Sequence, residues 1–244
     1  MASVVKKLLP GAAGTAGSGG GDDDFNLVSG LFNFDGSNGG QNETVIDSSD
    51  NNLTVTTNNT AGQRTFSPFS KDEGKWSIEF PVGQATDELE ISPSTSGDFA
   101  FGTGAFTIEG WAFVTADTYP YSRLFAIGPY YNNATSMGIT VDHTNNDHKT
   151  SFYAYGAVNG AICLSTSATP RNEWFQWAVT RDSTGDFRLF TNGNLDSTNT
   201  SYRTFNHASG GNPAFAIGNG GNRTVEEPFE GYMSNVRVVK GTAL

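Results

Sequence analysis

The 244-residue chain carries 25 acidic against 14 basic residues, a formal net charge of −11, and 36% of it is hydrophobic. That is enough apolar material for a packed core, while the acidic balance repels phosphate and excludes a generic nucleic-acid partner. Its one cysteine, Cys163, rules out an intramolecular disulfide and any multi-cysteine zinc site, and in GAICLST it reads as a small buried hydrophobe.

Residues 1–24 stand apart. VVKKLLP is a short amphiphilic piece, GAAGTAGSGGG has the composition of a flexible linker, and DDD is a solvated acidic run. One reading is a disordered tail. The other is an arm that docks on a partner assembly through Val4, Val5, Leu8 and Leu9. The segment lacks the continuous apolar region of a secretory signal, and no stretch reaches the ~20 apolar residues that span a bilayer. The expectation is a chain with no membrane span that stays inside the cell making it, or leaves by another route or within a particle.

From Phe25 onward, short runs rich in β-branched and aromatic residues follow one another, punctuated by Gly, Asn, Asp or Pro. They are NLTVTTN, KWSIEFP, AFTIEGWAFVT, RLFAIG, MGITVDH, TSFYAYGA, WFQWAVTR, DFRLFTNG, PAFAIGNG and NVRVVK. No 3.6-residue periodicity persists and no βαβ rhythm emerges. The pattern predicts an all-β antiparallel two-sheet sandwich over residues 25–244, preceded by a flexible arm over 1–24.

WFQWAVTRDSTGDFRLFTNG can be read in register. With DSTGD as the loop, Arg181 faces Phe187, Val179 faces Leu189 and Trp177 faces Thr191. Alternation then puts Phe175, Trp177, Val179, Phe187 and Leu189 on one face, and Trp174, Gln176, Ala178, Arg188 and Phe190 on the other. The tryptophans read as core rather than ligand contacts.

GDFAFGTGAFTIEGWAFVT, the hairpin above, FAIGNGG and GYMSNVRVVKGTAL occur in this order at suitable spacing. Together they resemble the laminin-G-like branch of the concanavalin A-like lectin/glucanase superfamily, over roughly Leu27 to Leu244. LFNFDGSNG and VIDSSDNNLTV look like its first strands. The resemblance implies a jelly-roll of two antiparallel sheets with first and last strands adjacent, and a structural role for Glu109.

Some members of that superfamily are glycoside hydrolases, which need paired carboxylates flanking the scissile bond. Their Glu-x-Asp-x-x-Glu strand pattern is absent: DELEIS places Glu88 and Glu90 at alternate positions without a third acid. Glu226, Glu227 and Glu230 in VEEPFEG read as a solvated turn. His143, His148 and His207 lie in polar loops at no metal spacing. The expectation is a protein that is not an enzyme.

Sugars are bound by aromatic rings stacking on pyranose C–H faces, flanked by polar groups that reach the hydroxyls. TYPYSR and GPYYNNATS supply Tyr119, Tyr121, Tyr130 and Tyr131 beside Asn132 and Asn133, which read either as glycan contacts or as loop packing. Asn145, Asn146 and Asp147 form a second polar loop. The resemblance also suggests Ca²⁺, with Asp35, Asp47 and Asp50 as ligands, although Asx turns explain the same residues and no cofactor is required.

The layout of a short tail followed by one such module, with no export signal, resembles phage virion proteins, and that resemblance implies a non-catalytic structural or adhesion module of a virion: a fibre, appendage or capsid decoration. Its expected partners are other virion or fibre subunits, copies of itself, and host-surface glycans. A bacterial surface or extracellular fibre subunit that self-assembles through its arm uses the same module, and a glycoside hydrolase of the superfamily is the third alternative.

Overall fold

The alternating runs fold into fifteen strands and no α-helix among the described residues. The computed structural model describes residues 24–35, 42–69, 76–92, 97–127, 137–142, 147–154, 161–200, 215–220 and 227–244. After a 3-10 turn at Phe25–Leu27, the strands are β1 Val28–Phe32, β2 Thr54–Asn58, β3 Gly62–Arg64, β4 Ser77–Phe80, β5 Glu88–Ser92, β6 Phe106–Val114, β7 Tyr121–Ile127 and β8 Met137–Asp142. They continue as β9 Lys149–Ala154, β10 Ala161–Ala168, β11 Trp174–Arg181, β12 Asp186–Thr191, β13 Asn194–Thr200, β14 Phe215–Ile217 and β15 Gly231–Lys240.

Two sheets stack face to face. The first runs β13-β12-β11-β6-β15-β4-β3, with β1 also paired to β15; the second runs β10-β9-β8-β7-β14-β5-β2. Every pairing is antiparallel, as predicted, and Val28 lies opposite Val239, which joins the first and last strands. No helix among the described residues is long and apolar enough to cross a membrane.

The hairpin adopts the register read from its alternation, with Trp177 opposite Thr191, Val179 opposite Leu189 and Arg181 opposite Phe187. Phe175, Trp177, Val179, Phe187 and Leu189 are all fully buried. Their face meets the second sheet: Trp177 stacks on Phe125 at 5.7 Å between ring centroids, and Phe187 packs on Phe152 at 5.5 Å. Burying such rings contributes roughly 2–3 kcal/mol each at ~25 cal/mol per Å². Cys163 also joins this core, and burial pushes its thiol up to about 11.

The opposite face of the hairpin is covered in part, with Trp174, Arg188 and Phe190 half-buried. Gln176 and Ala178 are fully covered, and after β3 the chain brings Phe66 against Trp174 at 5.4 Å and Phe69 against Trp111 at 5.6 Å. Gly218 marks where the chain turns into the core edge: its φ is +86°, and a Cβ there would sit 2.2 Å from the Phe80 ring.

Candidate functional site

Strands β7, β8 and β9 send Phe125, Ile139 and Phe152 into the core, so the alternate residues share the outer face of the second sheet. Register sorts those residues into rows. Tyr121 lies beside Asp142 and Lys149; Arg123 beside Thr140 and Ser151; Ala126 beside Gly138 and Tyr153. Across β14, Ala216 continues the last row to Glu90. The face is thus a polar grid with a floor of small residues between Glu90 and Tyr153.

The bulge between Arg123 and Phe125 keeps Arg123 on this face while Phe125 fills the core. The Arg123 guanidinium donates from Nε to Glu227 Oε2 at 2.5 Å and lies 5.9 Å from the Tyr153 ring centroid. It occupies the space that a side chain at position 138 would need: a Cβ on Gly138 would fall 3.2 Å from Arg123 Nη1 and 2.7 Å from the Phe125 carbonyl. Thr140 and Ser151, 1% and 0% exposed, have hydroxyls with no hydrogen-bond partner among the described residues. An unpaired buried hydroxyl costs about 1–3 kcal/mol, a cost that a hydrogen-bonding group brought to the pair would offset.

Of the tyrosines singled out from the sequence, Tyr121 lies on this face and Tyr119 is half-buried just before β7. Tyr130, Tyr131, Asn132 and Asn133 lie outside the described residues, as do Val4, Val5, Leu8, Leu9, Asn145, Asn146, His143 and His207. Arg123, Thr140, Ser151 and Tyr153 escaped the sequence reading. For Thr140, Ser151 and Tyr153 the signal was the polar alternation in GITVD and SFYA, which does not say which strands become neighbours.

The solvated-turn reading of VEEPFEG needs correction. Glu227 and Glu230 are buried, at 3% and 0% exposure. Glu227 pairs with Arg123, and Glu230 accepts from the Gly83 and Thr118 amides at 2.8 Å each. The segment folds inward because Asn219 Oδ1 accepts from the Glu227 amide at 3.3 Å and the Gly218 carbonyl from Phe229 at 2.8 Å. Glu226 lies outside the described residues. Glu109 is structural: it is fully buried against Arg237 on the adjacent strand. Glu88 and Glu90 share the outer face at β5, with Glu88 buried and Glu90 half-buried.

Asp47 is only 4% exposed, and its carboxylate accepts from the Leu31, Ser49 and Leu53 amides and from Ser49 Oγ, at 2.6–3.0 Å. Those four donors occupy the lone pairs that a cation would use, as in an Asx turn that also ties β1 to the approach of β2. Asp50 is exposed and Asp35 half-buried. No group of three or more His, Cys, Asp or Glu among the described residues is placed to hold a metal ion.

Solved structures with this arrangement include the botulinum neurotoxin serotype D binding domain, at 11% identity and TM-score 0.55, covering 90% of this chain and 50% of that one. The serotype G binding domain matches at 12% identity and TM-score 0.55, covering 89% and 48%. The binding domain of botulinum neurotoxin DC in complex with SialylT matches at 13% identity and TM-score 0.55, covering 90% and 50%. This chain therefore spans about half the length of these structures, and the likeness is one of fold. No curated protein sequence matches it. A laminin-G family model matches residues 83–243, more than half of the chain. With its two-sheet jelly-roll, the chain belongs to the concanavalin A-like lectin/glucanases superfamily.

Proposed function

We propose that this protein is a non-catalytic saccharide-binding module that uses the β7–β8–β9 face. The observation that carries the reading is the adjacent pair of buried hydroxyls, Thr140 and Ser151, that find no partner among the described residues, set beside Arg123 and between Tyr121 and Tyr153. Hydroxyls, a guanidinium and a carboxylate supply the donors and acceptors that sugar hydroxyls need, and tyrosine rings supply apolar faces. The superfamily to which the chain belongs includes lectins, and a structurally similar binding domain forms a complex with SialylT. A glycan array followed by calorimetry tests this. Binding in the micromolar to millimolar range should be lost in Tyr121→Ala and Tyr153→Ala and weakened in Thr140→Val; binding unaffected by all three refutes the site.

We further propose that the module serves in a virion fibre, appendage or capsid decoration, with a bacterial surface fibre as the alternative, because the Gly-rich composition of residues 11–21 would give an N-terminal docking segment reach. Light scattering tests the assembly part: the full chain should self-associate or join a partner, and removal of residues 1–24 should abolish it.

A further inference from the structure

Six arginines lie among the described residues, and five rest against a carboxylate: Arg64 on Glu79, Arg123 on Glu227, Arg171 on Asp117, Arg188 on Asp182 and Arg237 on Glu109. The sixth, Arg181, pairs with no carboxylate among the described residues, although it is 1% exposed and the chain has a net charge of −11. Its Nη1 donates to the Gly102 carbonyl at 3.1 Å, and its guanidinium carbon lies 5.3 Å from the Phe187 ring centroid. Nε has no acceptor.

Asp182, next in sequence, does not fill the gap. Its oxygens are taken by the Thr184 amide and hydroxyl, the Asp186 amide and Arg188 Nη1. Desolvation accordingly holds Arg181 below the ordinary arginine range, only partly offset by the charge of Asp182. A second cation lies two strands away in the same row: Arg181 is opposite Phe106, which is opposite Lys240. Lys240 Nζ donates to the Gly97 carbonyl at 2.6 Å, and like Arg181 it forms no ion pair among the described residues. Both cations are thus tethered to carbonyls of the segment 97–102.

A guanidinium does not escape burial by losing its proton, and a buried charge without a counter-charge is strongly unfavourable. Its fork of N–H donors matches two oxygens of a carboxylate, sulfate or phosphate. We propose that Arg181, Lys240 and the segment 97–102 form an oxyanion-binding site at the end of the first sheet. The ligand is an acidic group, either a free ion or a substituent on a saccharide. The site stands on the other sheet from the β7–β8–β9 face, so the two readings succeed or fail separately.

The test uses the full chain, isotopically labelled, at mildly acidic pH where arginine Nε–H signals are visible. Sulfate, phosphate and glucuronate are titrated in turn against sodium chloride of equal ionic strength. One Nε–H signal, identified by its absence from Arg181→Lys, should shift and saturate. Saturation by sulfate or phosphate identifies a free-ion site, and saturation by glucuronate alone a sugar-acid site. In thermal melts, Arg181→Lys and Lys240→Gln should each weaken the apparent affinity, Arg181→Lys by at least tenfold. No saturable shift with any of the three anions, or an equal thermal response in wild type and Lys240→Gln when Arg181→Lys does not fold, overturns the proposal.

Discussion

Replacing Asp47 probes how the sandwich is stapled. Its carboxylate receives three backbone amides and one hydroxyl, and those amides belong to β1 in the first sheet, to the turn itself, and to Leu53 just before β2 in the second. Asp47→Ala orphans all three amides, two of them buried and the Leu31 amide part-buried. At about 1–3 kcal/mol for each buried donor left unpaired, with water rescuing part of the Leu31 loss, the cost is about 3–6 kcal/mol. Asp47→Asn keeps the shape but turns one acceptor into a donor. With its nitrogen in the Oδ2 position it faces the Leu53 amide, and about 2–3 kcal/mol is lost. Urea unfolding near neutral pH reads both, provided the m-values match wild type. The measurements are repeated with added Ca²⁺ and with chelator. A loss below about 1 kcal/mol for Asp47→Ala refutes the staple. So does a loss that disappears under chelation, because the carboxylate would then be acting through a cation.

Arg123→Met leaves Glu227 buried without its cation and should cost about 3–5 kcal/mol, whereas Arg123→Met with Glu227→Gln should cost less than the sum of the two; additive losses in unfolding experiments contradict a direct pair. Asp182 predicts an acid limb of stability. The Thr184 hydroxyl, then Arg188 and the Asp186 and Thr184 amides, hold its carboxyl well below the usual carboxylate range, against the pull of desolvation. A folded-state value below the unfolded one gives stability that is present above about pH 4 and lost as pH falls. Asp182→Asn should therefore flatten the decline of the unfolding midpoint below about pH 4, and two parallel curves would rule the linkage out.

The hairpin was legible because both of its strands and its turn lie within twenty consecutive residues, so register followed from alternation alone. Val179 opposite Leu189 needed only the DSTGD loop and the period of two. The polar face was not legible. Tyr121, Thr140 and Ser151 meet through two separate strand pairings, and Arg123 reaches Glu227 across 104 residues. VEEPFEG looked solvated because acidic residues beside a proline usually are, and its inward path depends on Asn219 and Gly218.

By itself, then, the sequence determined the all-β class and the register and core face of the β11–β12 hairpin, which follow from the side-chain period of two and from local turn chemistry. The closure of β1 on β15 was expected only from the family resemblance, because it pairs residues at opposite ends of the sandwich sequence. Tertiary structure alone decided which polar residues became neighbours, which carboxylates were buried with a cation, and that Arg181 meets no carboxylate among the described residues. Those outcomes depend on long-range strand order and on where charge is desolvated, and neither is written in any short window of the chain.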